Sequence, residues 1–158
     1  MFRKMQREKQ ALSREECIRV LREEPRGVLC VQGLEGYPYG MPMNFWYNEK
    51  TGTILFHGGK YGHKIEAIQQ NNKVCFCVYD QGYRREGEWA LNIKSVIVFG
   101  RIQQVEDYDA AMELSRCLSY KYTPDDEYIE KEIEKAGPGT LCLELIPEHI
   151  SGKLVNES

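Results

Sequence analysis

The stretch Phe56-His57-Gly58-Gly59-Lys60-Tyr61-Gly62-His63-Lys64-Ile65 decides how this chain is read. An apolar strand pattern, Thr53 to Phe56, runs into it, and a helical pattern with Ile65, Ala67 and Ile68 follows. Glycines at a strand-to-helix junction let the backbone turn tightly and aim amides at one point. The helix N-terminus adds partial positive charge there. Lys60, His63 and Lys64 complete a segment suited to a phosphate monoester. It is neither a P-loop nor a dinucleotide fingerprint, because GxxxxGK[ST] and GxGxxG are both missing. Plainer readings stay open. His57 can be a strand-end histidine bonded to a carbonyl, Gly58-Gly59 a simple turn, and Lys64 a solvated lysine. Against the last, cations at a helix start are disfavoured unless an anion is near.

Working outward, Ser13-Arg14-Glu15-Glu16 has the form of a capping box. It predicts a helix to about Glu24, ended by Pro25. Strands are predicted at Arg26–Gly33, Tyr37–Tyr47, Thr53–His57, Lys73–Asp80, Ile93–Val105 and Thr140–Ile146, separated by turn signals. Gly100 marks a bulge or sharp bend in the fifth strand. The helix after Gly62 should stop near Asn71-Asn72, one from Asp107 near Tyr120, and one after Pro124 and Asp125 near Lys135. This is an α+β chain: a six-stranded antiparallel split β-barrel with flanking helices. It reads as one domain over 1–158, with an N-terminal helical arm at 1–25 and the barrel and helices over 26–153.

The net charge of −3 argues against an electrostatically driven nucleic-acid binder. No apolar run approaches a membrane span, and the first ten residues are polar and charged, so a cytoplasmic protein with no membrane partner is expected. The six cysteines include no CxxC and read as buried, reduced thiols. Trp89 reads as a core or interface anchor, and the Glu/Lys run from Asp125 to Lys135 as a solvated helix face.

Several short stretches occur in one order: Gly36-Tyr37-Pro38-Tyr39 with Pro42, Asn44 and Phe45; Leu55-Phe56-His57; Gly62-His63-Lys64-Ile65; Gly87-Glu88-Trp89; Ser95 to Gly100; and Ser151-Gly152-Lys153. The set resembles the flavin-binding split-barrel superfamily typified by pyridoxamine 5′-phosphate oxidase. It is most similar to the branch of 5-nitroimidazole resistance proteins. Each motif is weak alone; their shared order carries the resemblance.

The resemblance implies a homodimer holding flavin mononucleotide (FMN) at the subunit interface, with flavin adenine dinucleotide (FAD) as the alternative. It assigns the phosphate grip to Gly58, Gly59, His63 and Lys64. The ring would lie along Pro42, Met43, Asn44 and Phe45, with Phe56, His57, Ser95 and Val96 also close to the cofactor. His63 stands where oxidase members have arginine, so the bidentate fork is lost. Lys94 likewise stands where relatives often have arginine. His57 matches a histidine near the reactive part of the flavin and is the candidate catalytic residue, orienting the substrate or donating a proton to it. No counterpart of the oxidase C-terminal substrate-binding segment is expected within Ile146 to Ser158, so vitamin B6 oxidation is not the expected activity.

The implied function is an FMN-dependent oxidoreductase, a nitroreductase-like flavoprotein. It would pass electrons from a nicotinamide cofactor or protein donor to a small nitroaromatic acceptor. The alternative is a non-catalytic flavin- or haem-binding protein, with His149 as candidate axial ligand. A weaker third reading is a dimerisation domain whose site has decayed.

Overall fold

The computed structural model describes residues 1–157. After a 3-10 turn at Glu8–Gln10 come α1 (Arg14–Glu23), β1 (Arg26–Gln32), β2 (Pro38–Asn44), β3 (Trp46–Asn48) and β4 (Thr53–Gly59). Then follow α2 (His63–Gln70), β5 (Lys73–Tyr79), β6 (Leu91–Gln104), α3 (Tyr108–Tyr120), α4 (Asp126–Ala136) and β7 (Thr140–Glu157). The strands form one antiparallel sheet in the order β2-β1-β5-β6-β7-β4-β3, curled into the split-barrel fold.

The helix starts are set by side-chain caps. Ser13 and Glu16 close the capping box on α1. The Asp107 carboxylate accepts from Ala110 N, and that of Asp125 from Tyr128 N. Each satisfies an amide that has no carbonyl partner in the first turn.

The sheet has seven strands rather than six. The stretch Tyr37–Tyr47 was expected as one strand, but it breaks at Phe45 into β2 and β3. β2 pairs with β1, whereas β3 pairs with β4 at the opposite edge of the sheet. At the break the Phe45 N–H donates to the Tyr122 hydroxyl at 2.8 Å. That hydroxyl also lies 2.6 Å from the Pro25 carbonyl and 2.9 Å from that of Phe45. A phenol from the turn that follows α3 thus replaces the ladder. The Phe45 ring is fully buried, edge-on to Phe76 at 4.9 Å, and Phe76 meets Phe56 the same way at 5.0 Å. Lys121 Nζ sits 3.7 Å above the Phe45 ring and donates to the Glu24 carbonyl at 2.7 Å. Burial pulls this lysine down to about 8.

The last strand also runs further than the predicted Thr140–Ile146. β7 pairs with β4 through its first part and with β6 along its length, reaching Glu157. A register shift lies between Phe99 and Gly100, as the glycine suggested, and Pro147 faces Gly100 there. A Cβ at Gly100 would collide with the Ile146 carbonyl, so the strands cross closely at this point.

The main core fills the barrel with Leu29, Phe45, Ile54, Phe56, Phe76, Val78, Val96, Val98 and Leu145. A smaller cluster on the outer side of β4 joins Leu55 and Cys142 to Ala111, Met112 and Leu118 of α3. Only Cys17 and Cys142 of the six cysteines are buried; the other four are half-buried, which corrects the expectation of uniform burial. The correction has a topological cause: Cys30, Cys75 and Cys77 alternate with core residues and so point to the outer face. Burial, with the neighbouring Cys30 and Cys77, raises the Cys75 thiol to about 11, which makes it a poor nucleophile. No helix among the described residues is long and apolar enough to cross a membrane.

Replacing Tyr122 with Phe strands the buried Phe45 N–H and is expected to cost ~1–3 kcal/mol of unfolding free energy. The Tyr120 hydroxyl donates to Asp126 at an exposed site. Tyr120→Phe should therefore cost less than ~1 kcal/mol. Urea unfolding of the two variants side by side measures the difference.

Candidate functional site

The split between β2 and β4 is where the expected anion grip is built. Gly62 caps α2 with φ +117°, a conformation that side chains rarely adopt, and it turns the chain from β4 into the helix. Its carbonyl accepts from Ile65 N and Glu66 N. That leaves the amides of His63 and Lys64 as the first-turn donors without a helical carbonyl. The Lys64 side chain folds back over the strand end. Its Nζ lies 3.8 Å from Met43 Sδ on β2, and a Cβ at Gly58 would come within 3.1 Å of it. Gly58 is therefore where a side chain would compete with this ammonium.

Lys64 has no carboxylate within 4.0 Å among the described residues, whereas Lys94 is paired to Glu16 at 3.6 Å. Burial depresses the Lys64 pKa below the usual lysine value. A half-buried ammonium facing a thioether and a glycine is a charge in want of an anion. Gly59, Lys60 and Gly62 are open to solvent around it. An incoming phosphate would find this cation and the α2 N-terminus together.

His63 does not face the same point. Its Nε2 accepts from Leu34 N at 3.3 Å and lies 3.5 Å from Glu35 Oε2, and its ring stacks on Tyr39 with centroids 4.4 Å apart. It ties the β1–β2 turn to the start of α2. Only Nδ1 is left for other work, and accepting at Nε2 needs the neutral tautomer.

His57 is on the other face of β4 from Gly58, as the pleat requires. It pairs in register with Cys142 and lines a hollow with Met112, Ser115 and Ile133, beneath α3 and α4. The residue is exposed to solvent, yet protein atoms surround one side of the imidazole. That burial, and then the Lys64 charge, lower its pKa below the ordinary histidine value. The shift favours the neutral imidazole, and His57 has no hydrogen-bond partner among the described residues.

The remaining expected residues divide in two. Met43 lies half-buried in the cleft, while Pro42 and Asn44 are exposed on β2. Pro38 and Pro42 sit on this edge strand, where a missing N–H is tolerated. Phe45, Phe56 and Val96 are core residues with fully buried side chains, so only their backbone could face a ligand. Ser95 and Val96 on β6 are not brought to the cleft. Lys153, opposite Ser95, and Leu141, opposite Gly58, lie at opposite ends of β7. Ser95 instead borders a hollow beside Phe2 and Lys153. His149 stacks on Phe2 at 4.8 Å, and Phe2 on Phe99 at 5.8 Å. Sequence reasoning did not mark Met43 as a neighbour of the Lys64 ammonium, nor Tyr39 as the seat of His63. Both need the β2–β4 proximity that only the closed fold provides.

The family model described as pyridoxamine 5′-phosphate oxidase matches residues 13–154. A candidate 5-nitroimidazole antibiotic resistance protein from Bacteroides thetaiotaomicron superposes with a TM-score of 0.81 at 21% identity, covering 93% of this chain and 87% of that one. A FAD-binding protein from Mesorhizobium loti gives 0.68 at 23% identity, over 92% and 97% of the two chains. A FAD and heme binding protein from Mycobacterium smegmatis gives 0.74 at 22% identity, over 93% and 73%. No curated protein matches the sequence. At these identities the solved structures establish the shared fold.

A proton NMR titration of the His57 ring should give a midpoint below that of an exposed histidine. Lys64→Met should move it upward, because a neighbouring positive charge disfavours the imidazolium. An unmoved midpoint in the variant would remove the electrostatic link between the two residues.

Proposed function

The chain belongs to the pyridoxamine 5′-phosphate oxidase family, and from that premise we propose that it is a flavin-dependent reductase of the nitroimidazole-resistance type, acting on a small nitroaromatic or related acceptor. The observation that carries the reading is the Lys64 ammonium, half-buried and unpaired beside Gly58 and the start of α2. These residues suit the phosphate of FMN. Lys64 holds its charge, the His63 and Lys64 amides add donors, and Gly58 and Gly59 leave room for close approach. FAD would use the same grip, and names of similar structures include FAD.

Bound flavin supplies the redox chemistry, with electrons from a nicotinamide or protein donor. The β2 segment Pro42 to Phe45 offers edge-strand backbone to the ring's polar rim. Neutral His57 can donate a hydrogen bond to the acceptor and hold a proton near the reacting end.

A homodimer completes this proposal. The outer face of β1, β5 and β6 presents Val28, Cys30, Cys77, Ile97 and Phe99, an apolar strip on a sheet surface. Trp89, 74% exposed in one protomer, adds an aromatic anchor. A two-fold partner would bring a second copy of Ser95 and its neighbours into play. We place the protein in the cytoplasm, supported by its six free cysteines.

The purified protein should be yellow, or take up added FMN. A colourless protein that binds none would sink the reading. Lys64→Met should weaken FMN binding ~10-fold or more, since a charge-assisted bond is worth about 1.5–3 kcal/mol. Riboflavin, which lacks the phosphate, should be little affected. His57→Ala should leave flavin content intact and slow nitro reduction ~100-fold, the lower range for a positioned proton donor. Full nitro reduction in that variant would strip His57 of its role.

A further inference from the structure

Two cysteines that the proposed chemistry does not use face each other across the sheet. β1 and β5 pair in antiparallel register, with Cys30 opposite Cys75 and Val28 opposite Cys77. These residues alternate with buried core positions, so both thiols stand on the outer face. Cys30 and Cys75 share an open hollow of about 600 Å³ under Met1 and Phe2 of the N-terminal arm. It reaches the exposed Gln32, Asn71 and Lys73, where β1 ends and β5 begins. The strip offered to a two-fold partner runs the other way, through Val28, Cys77 and Ile97. Beyond β5 the row continues with Phe99, on which Phe2 stacks. On the other side it meets Gly40, where a Cβ would lie 3.5 Å from Cys30 Sγ. The Cys30 thiol thus leans into the space that Gly40 leaves, and a turn about χ1 is enough to swing it toward Cys75.

We propose that Cys30 and Cys75 are a modification site, closing as a reversible cross-strand disulfide when a small oxidised thiol reaches the hollow. Residues opposite each other in an antiparallel pair have Cα atoms about 4.5–5.5 Å apart. A disulfide spans about 4.4–6.8 Å, so the bond closes without moving the strands. Cys77 stands diagonally from Cys30, at about 7–8 Å, and is out of reach. Glutathione disulfide is the oxidant. The Cys30 thiolate attacks one of its sulfurs, forming a mixed disulfide and releasing one glutathione. The Cys75 thiolate then attacks the Cys30 sulfur and expels the second. Two thiols are oxidised, one disulfide is reduced, and the two thiol protons pass to the two glutathiones. Cys75, pushed up to about 11, is a poor nucleophile and suits the second, intramolecular step. Between the two cysteines lie β2, β3, β4, the Lys64 cleft and α2. The bond therefore ties off the segment that carries the cleft, and closing so long a loop restricts the unfolded chain. None of this depends on flavin binding.

The test incubates the reduced full chain with glutathione disulfide, blocks the remaining thiols with N-ethylmaleimide and maps peptides without reduction. The chain should lose two of its six free thiols, with one peptide pair joined at Cys30 and Cys75 and no link between chains. Dithiothreitol should restore both thiols. Cys77→Ser should leave the bond intact, whereas Cys30→Ser and Cys75→Ser should each abolish it; either of these serves if the other does not fold. Oxidised wild type should unfold at a midpoint ~5 °C or more above the reduced form. Oxidant-treated Cys75→Ser should show no such rise. The proposal is overturned if Cys30 and Cys75 stay reduced, or if Cys30 keeps its glutathione with Cys75 present. It is equally overturned if either pairs with Cys77 or with another chain, or if the joined form melts no higher than the reduced one.

Discussion

One phenol holds the split in this barrel. At Phe45 the chain must leave the edge of β1 and cross to the edge of β4, and its backbone groups there have no strand to bond. The Tyr122 hydroxyl, 77 residues along the chain, takes the N–H and lies within hydrogen-bond reach of the carbonyl. An unpaired buried amide would cost as much as several surface contacts contribute, so the crossing depends on this phenol. Lys121 adds to the clasp by lying over the Phe45 ring. Because the crossing is held, β2 and β3 sit at opposite ends of the sheet order and a cleft is left between β2 and β4. The half-buried Lys64 ammonium occupies that cleft. Cofactor chemistry in the proposed reductase therefore rests on a tyrosine far from it in sequence.

Local rules in the sequence were enough for most of the elements. The caps at Ser13, Asp107 and Asp125 are short-range chemistry, and each helix begins where they predict. Gly100 marked the bulge because a strand-interior glycine has few other uses. The break at Phe45 was not legible, since the group that holds it, the Tyr122 hydroxyl, lies 77 residues away, just beyond α3. The length of β7 was hidden for a related reason. Pro147 looks like a strand terminator, yet it falls opposite the Gly100 bulge, where the regular ladder is already interrupted.

The site was legible in part, for the same division of causes. A strand, glycines, a lysine and a helix start at one junction are local, and the structure keeps Gly58 and Lys64 together. The role of His63 depends on Leu34 and Tyr39 of the β1–β2 turn, so composition at the junction could not show that its Nε2 is already engaged. Ser95 and Val96 entered through resemblance to a family, and in one protomer they stand away from the cleft. Their relevance hangs on a partner subunit, which no reading of spacing within one chain can supply.

Strand pleating adds a constraint that the motif alone conceals. His57 and Gly58 are consecutive, so the His57 side chain and the face left open at Gly58 lie on opposite sides of the strand. The cation that suits a phosphate and the imidazole that suits an acceptor therefore serve opposite faces of β4, although they are neighbours in sequence. Lys64 still acts on His57 through space, because the strand end is thin and the environment only half solvated. An anion bound at Lys64 would screen that charge and raise the affinity of His57 for a proton. Loading of the phosphate site would then relieve the smaller of the two effects that lower the His57 pKa, the larger being burial. Adjacent residues on opposite faces of one strand are enough to give that coupling, without any conformational change.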